Sequence, residues 1–219
     1  MSGLLELIKS RRNPLEESWN ECLEMLHATE EMVRLARSCR HAGQEARGRL
    51  RRLHKMDSEV NRQQERIRRR VFAHLAIAPS RDVSTSLKTL SIAIHLERVG
   101  DYAKNVAEVY LLLRGSEAFG SSQVETLSSL DAEIVRIFAA TREALVTTEA
   151  EAAREVAELA RGVSATCRRE IEGAICAEGD PGYESSSLAY VLLLRHDKRI
   201  ASHLKNAANV VVNPIHKLR

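Results

Sequence analysis

The sequence HLERVGDYAKNVAEV, at residues 95–109, returns in altered form 101 positions later as HDKRIASHLKNAANV, at residues 196–210. Six of the fifteen aligned positions are identical, and several of them are polar: His95/His196, Arg98/Arg199, Lys104/Lys205, Asn105/Asn206, Ala107/Ala208 and Val109/Val210. Self-similarity at a fixed offset is typical of an internal repeat. We therefore expect two related halves, each carrying this stretch near its end.

Helical periodicity and helix breakers divide each half into three segments. Apolar residues recur three, four or seven positions apart, and no segment alternates as a half-buried strand would. Breaks fall at Asn13-Pro14, Gly43, Pro79, the run 114–122 and the loop 177–187. Ser122 with Glu125, and Thr148 with Glu151, have the spacing of a capping box. The predicted helices are 14–42, 46–77, 83–114, 123–146, 149–176 and 186–212.

Helices joined by short loops pack as antiparallel neighbours. The fold class predicted is therefore all-α, a tandem repeat of two antiparallel three-helix bundles. The expected domain organisation is a leader at 1–13, a first repeat at 14–115 and a second repeat at 122–219, packed together as one unit. Only 4% of residues are aromatic, which fits long helices better than a β-sandwich.

Composition excludes several classes of protein. No run of about 20 apolar residues occurs, so no membrane span is expected. The four cysteines are widely spaced without a CxxC pair, which predicts free thiols in the cytoplasm rather than a zinc site or a disulfide framework. The net charge of +3 is too small to indicate nucleic-acid binding by itself.

Carboxylates follow the apolar stripe of the third helix. Steps of three and four from Leu87, Leu90 and Ile94 to Leu112 pass through Glu97, Asp101, Asn105 and Glu108, which predicts polar groups on a core-facing side. Asp57 and Asn61 lie among apolar residues of the second helix in the same way.

Oxygen ligands from facing helices can converge on one cation inside a bundle. Such ligands suit Mg²⁺, Mn²⁺ or Ca²⁺, and iron is a further candidate. The predicted metal ligands are Asp57, Glu97 and Asp101, with Asn61, Asn105 and Glu108 as weaker candidates. An ion-pair seam with Arg98, Lys104 and the basic second helix accounts for the same carboxylates.

The second helix is strongly basic, from Arg47 to Arg70. One interpretation is contact with an acidic or anionic partner, with Arg66 and Arg69 as candidate contact residues. The other is a solvated face balanced by Glu45, Glu59 and Glu65. No aromatic residues interleave with the basic ones and no DNA-binding motif occurs, so nucleic acid is not an expected partner.

The sequence contains no glycine-rich phosphate loop, nucleophile elbow or HExxH motif. A binding protein without catalytic activity is therefore the prediction. Two alternatives stay open: a metal-dependent enzyme on a helical bundle, and a metal-free structural interaction bundle.

Residues 97–108, ERVGDYAKNVAE, resemble the signature of the PhoU family, and residues 57–61, DSEVN, resemble that family's second helix. The resemblance extends over nearly the whole chain. It implies a tandem of three-helix bundles that regulates phosphate uptake and phosphate-starvation signalling. It further implies binding to a phosphate transporter, a sensor histidine kinase or both, at the cytoplasmic face of the membrane. Homodimers and metal clusters bound by acidic motifs are also implied.

The second repeat departs from this pattern. Lys198 and Ser202 stand where the first repeat has Glu97 and Asp101, and Ala160 and Ser164 stand opposite Asp57 and Asn61. Any metal is therefore expected in the first repeat alone. Lys198 and Arg199 are candidates for binding an anion such as phosphate, or for pairing with carboxylates of the chain itself.

Overall fold

The computed structural model describes residues 13–77, 82–113, 119–176 and 185–212, and these residues form six long α-helices. In chain order they are α1 (Pro14–Ser38), α2 (Ala46–Ile77), α3 (Val83–Leu113), α4 (Ser121–Thr147), α5 (Ala150–Cys176) and α6 (Ser185–Val212). Two short 3-10 turns, Cys39–His41 and Gly43–Glu45, connect α1 to α2. No strand occurs within the described ranges, and the all-α prediction is confirmed.

The helix ends depend on local capping chemistry. Asn13 caps α1, because its side-chain oxygen accepts a hydrogen bond from the Leu15 amide at 3.1 Å, and Pro14 follows as the first helical residue. The first helix ends earlier than predicted, because the chain tightens into the 3-10 turn Cys39–His41. The second turn begins at Gly43, whose φ of +47° suits glycine.

Both predicted capping boxes are wrong. Helix α4 begins at Ser121, where the Gln123 side chain accepts a hydrogen bond from the Gly120 amide at 3.1 Å. Thr148 has a φ of 58° and closes α4 through a bond from its amide to the Ala144 carbonyl, so it does not start α5. The predicted leader, the break at Pro79, most of the run 114–122 and most of the loop 177–187 lie outside the described residues, except that Asn13 is described.

Helices α1, α2 and α3 pack against one another, and α4, α5 and α6 do the same. The two helices that carry the repeated stretch, α3 and α6, pack against each other and join the halves. Large aliphatic side chains from both halves are fully buried, including Leu53, Ile67, Leu96, Ile134 and Leu204. The four cysteines are free thiols, as predicted. Among the described residues, no helix has an apolar stretch sufficient to cross a bilayer.

Helix α3 turns a different face inward than predicted. Ile94 is 45% exposed and Leu112 is 84% exposed, whereas the small residues Gly100, Ala103 and Ala107 are buried. Three helices approach α3, namely α1, α2 and α6, and small side chains let them come close. A Cβ added at Gly100 would meet the end of Met32 at 3.3 Å.

The polar stripe of α3 consequently lies beside the core rather than within it. Glu97, Asp101 and Asn105 are half-buried and Glu108 is exposed. Periodicity predicts the polar stripe of α3 correctly. It predicts the wrong side of α3 to face the core, because three neighbouring helices pack against this helix.

We expect Trp19→Phe to lower the free energy of unfolding by about 1 kcal/mol, because this is the net contribution of a typical intramolecular hydrogen bond to stability. The indole N–H of Trp19 in α1 donates to the Leu145 carbonyl in α4 at 3.1 Å, which links the two halves. Trp19 is the chain's one tryptophan, so urea unfolding should be followed by circular dichroism. Trp19→Ala, which also removes packing, should cost more. An unchanged midpoint in Trp19→Phe would show that this bond does not form in solution.

Candidate functional site

Two of the predicted metal ligands, Asp57 from α2 and Asp101 from α3, contact the same ammonium group. Lys104 Nζ lies 2.8 Å from Asp57 Oδ2 and 3.0 Å from Asp101 Oδ1. Lys104 follows Asp101 by three positions on α3, so both side chains point to the same side of that helix. Glu97 lies one turn before Asp101 and interacts electrostatically with both aspartates. We call Asp57, Glu97, Asp101 and Lys104 the Lys104 cluster.

The electrostatics of the Lys104 cluster favour a charged lysine. Burial opposes charge on Lys104, but hydrogen bonds from its ammonium to Asp57 and Asp101 outweigh burial and raise the pKa of Lys104 above its usual value. Burial, followed by the negative charge of Asp101, raises the pKa of Glu97 above its usual value, while Arg98 opposes this shift. The Lys104 cluster therefore holds a charged ammonium between Asp57 and Asp101. The same cluster makes ionisation of Glu97 less favourable.

The weaker candidates lie around the Lys104 cluster. Asn61 Nδ2 donates to Asp57 Oδ2 at 3.4 Å. Asn105 and Glu108 line a cavity of about 250 Å³, together with His54, Arg98, Asp101, Tyr102 and Lys104. Asp57 Oδ1 is buried and has no hydrogen-bond partner in the described part of the chain. The predicted residues therefore lie in one region, around the ammonium of Lys104. From the sequence, Lys104 is expected there only in the alternative interpretation, as an ion-pair partner.

These side chains, as they are arranged, do not fit a resident metal ion. The space between Asp57 and Asp101 is taken by the ammonium of Lys104. Within residues 13–77, 82–113, 119–176 and 185–212, no group of three or more His, Cys, Asp or Glu side chains converges as metal ligands would. The predicted metal ion at Asp57, Glu97 and Asp101 would therefore require the Lys104 side chain to move away from both aspartates.

The second repeat has no acidic counterpart of this cluster. Ala160 is buried at the position equivalent to Asp57, and Ser164 and Ser202 are half-buried. Lys198 is half-buried and Arg199 is exposed, and neither forms an ion pair with a described carboxylate. Anion binding at Lys198 and Arg199 stays a prediction.

A buried ion-pair network lies where α1, α4 and α6 meet, and sequence reasoning missed it. Asp197 is 3% exposed and accepts a hydrogen bond from Arg37 Nη2 at 2.9 Å. Arg37 also pairs with Asp131 of α4. Arg40 is buried, donates to the Tyr110 hydroxyl at 3.0 Å and pairs with Asp131 at 3.2 Å. Burial raises the pKa of Asp197 above its usual value, and Arg37 and Arg40 oppose that shift.

Histidines from the two repeated stretches meet between α3 and α6. Nδ1 of His95 and Nδ1 of His203 are 3.3 Å apart, and the Tyr102 ring stacks on His203 with 5.6 Å between centroids. The ring of His196 is tilted against that of the same tyrosine, with 5.9 Å between centroids. Burial, with the nearby His95, Arg199 and Arg98, lowers the pKa of His203 to about 4. His203 is therefore neutral at physiological pH and helps to join the halves.

The basic side chains of α2 fall into two groups. In the C-terminal part of the helix, Arg66 pairs with Glu21 at 2.7 Å and Arg69 pairs with Glu65 at 2.9 Å, so both predicted contact residues already have carboxylate partners. In the N-terminal part, four basic side chains are exposed and form no ion pair within the described part of the chain. These residues, which we call the basic surface of α2, are Arg47, Arg51, Arg52 and Lys55.

The described residues define an all-helical protein made of two three-helix bundles that are joined through their third helices. Residues 22–110, which lie in the first repeat, match the family model described as PhoU domain. The chain therefore carries a PhoU domain, and the resemblance to the PhoU family, a family of regulators of phosphate uptake, is confirmed.

A solved structure shows the same fold over nearly the whole chain. The crystal structure of PhoU from Pseudomonas aeruginosa superimposes with a TM-score of 0.75 and 22% sequence identity, and the match covers 91% of this chain and 95% of that chain. No curated protein matches the sequence.

Proposed function

We propose that the protein regulates phosphate uptake by binding, without catalysis, and that the basic surface of α2 docks onto an acidic surface of a phosphate transporter or a sensor histidine kinase. In this proposal the protein acts in the cytoplasm, as a homodimer, and reaches the membrane through its partner. The PhoU domain at residues 22–110 supports the regulatory role.

The docking proposal is based on a difference between the two ends of α2, namely whether the basic side chains have carboxylate partners. Arg66 and Arg69 are neutralised by acidic residues of the chain, whereas Arg47, Arg51 and Lys55 are not. Positions 47, 51 and 55 are four apart and form one row that is about 12 Å long at 1.5 Å per residue. Exposed like charges in a row repel one another, and an acidic partner relieves that repulsion and attracts the protein at long range.

We expect the triple reversal Arg47→Glu/Arg51→Glu/Lys55→Glu to weaken binding to the partner by at least about tenfold, because it replaces attraction with repulsion at the interface. The measurement is biolayer interferometry against the phosphate transporter and the sensor histidine kinase of the same organism, each purified in detergent. The wild-type affinity should also fall as salt is raised.

A matched control reverses three exposed arginines on α5, the equivalent helix of the second repeat, as Arg154→Glu/Arg161→Glu/Arg169→Glu. This control should bind like the wild type. Two results contradict the proposal: wild-type protein that binds neither membrane protein, and equal loss of affinity in the α2 and α5 variants.

A further inference from the structure

The Lys104 ammonium takes the position of a bound cation. Its distances of 2.8 Å to Asp57 and 3.0 Å to Asp101 are those of charge-assisted hydrogen bonds. The lysine side chain is 18% exposed and that of Asp57 is 10% exposed, so water screens this interaction less than it screens a surface pair. Lys104 therefore neutralises carboxylates that come from two different helices.

We propose that Lys104 is a built-in cation that excludes divalent metal ions from the acidic cluster of the first repeat and makes that repeat independent of metal. The proposal concerns Asp57, Glu97, Asp101 and Lys104 alone and does not rest on the docking function of α2.

Sterics and charge both support exclusion. A divalent ion approaches carboxylate oxygens to about 2.0–2.6 Å. An ion that bound both Asp57 Oδ2 and Asp101 Oδ1 would share the space now held by the ammonium, and the two positive charges would repel each other. Because Lys104 is tethered to α3 one turn from Asp101, it competes at the high effective concentration of an intramolecular ligand.

The groups around the Lys104 ammonium show which carboxylates would lose their cation if Lys104 were replaced. Asp57 Oδ1 is buried and unpartnered among the described residues, and Glu97 interacts with both aspartates. Without Lys104, three carboxylates would share a half-buried site, and a buried carboxylate is unfavourable unless it is paired or bound to a metal. An oxygen-only site of this kind suits Mn²⁺ or Mg²⁺.

The test compares the full chain with Lys104→Met, which has a similar length and no charge, by calorimetric titration with Mn²⁺ and by thermal unfolding. We expect Lys104→Met to bind Mn²⁺ at least about tenfold more tightly than the wild type and to gain melting temperature as Mn²⁺ is added. The wild type should show neither effect and should keep its melting temperature in chelator. The double variant Lys104→Met/Asp101→Asn should lose the gain in affinity.

Three outcomes would overturn the proposal. One is a folded Lys104→Met variant that binds Mn²⁺ no better than the wild type. Another is a wild-type protein, purified without chelator, that holds a stoichiometric divalent ion and loses it in Asp101→Asn. The last is an equal gain in affinity in the double variant. If Lys104→Met does not fold, Lys104→Gln, which can keep a hydrogen bond to a carboxylate, replaces it in the same comparison.

Discussion

Arg37→Met should lower the free energy of unfolding by about 3–5 kcal/mol at neutral pH, the cost of removing one partner from a buried ion pair. Arg37 donates to Asp197 at 2.9 Å, and Asp197 is almost completely buried in α6. The other nearby cation, Arg40, is already hydrogen-bonded to Tyr110 and paired with Asp131. Methionine would fill much of the space of the arginine but leave the carboxylate of Asp197 without its direct partner.

The loss caused by Arg37→Met should be smaller in acid. Burial already raises the pKa of Asp197 above its ordinary value of 3.8, and removal of Arg37, which opposes that shift, should raise it further. The folded variant then binds a proton at pH values where the unfolded chain has released it. Its stability should therefore fall as the pH rises from about 4 through the pKa of the folded state. Urea unfolding at several pH values measures this slope.

Two further variants test whether the loss of stability in Arg37→Met comes from the buried ion pair with Asp197. Arg37→Met/Asp197→Leu removes both charges and should recover much of the lost stability. Arg34→Met lies on the same helix but removes an exposed arginine paired with Glu30 and Glu31, so it should cost no more than about 0.5 kcal/mol. A double variant as unstable as Arg37→Met would show that Arg37 acts by packing rather than by charge.

The sequence predicts the helices well because its signals for them are local. Asn13 and Pro14 start α1, and Leu53, Val60 and Ile67, which are spaced seven positions apart on α2, are all fully buried. These signals depend on spacing along one helix and do not require knowledge of the neighbours. The internal repeat predicts two related halves, and the two helices that carry it, α3 and α6, pack against each other in the structure.

The sites were harder to predict because they depend on pairing between distant segments. Asp197 aligns with Leu96 of the first repeat, so the repeat predicts an apolar residue there, and its partner Arg37 is 160 positions away. The sequence placed Asp57 and Asp101 near each other but could not decide between a metal ion and Lys104 as their cation. That choice depends on where the end of one flexible side chain lies.

Acid should destabilise the wild-type protein through His203. The pKa of His203 is lowered from 6.5 to about 4 by burial and by His95, Arg199 and Arg98. Below pH 6.5 the unfolded chain binds a proton that the folded protein does not bind until about pH 4, so stability is lost as the pH falls across this window. The ring is only half-buried, and solvent screening reduces the expected loss to about 1–2 kcal/mol.

His203→Asn isolates this contribution, because the asparagine amide can occupy the position of Nδ1, which faces His95 at 3.3 Å, without titrating. Other acid-sensitive groups are common to both proteins, so the difference in unfolding free energy between neutral pH and about pH 5 should be smaller in the variant. His54→Asn, at an exposed position of α2, should keep the wild-type pH dependence. If His203→Asn keeps it too, the histidine pair between α3 and α6 does not set the acid stability, and the ionisable groups of the Arg37–Asp197 network become the next to test.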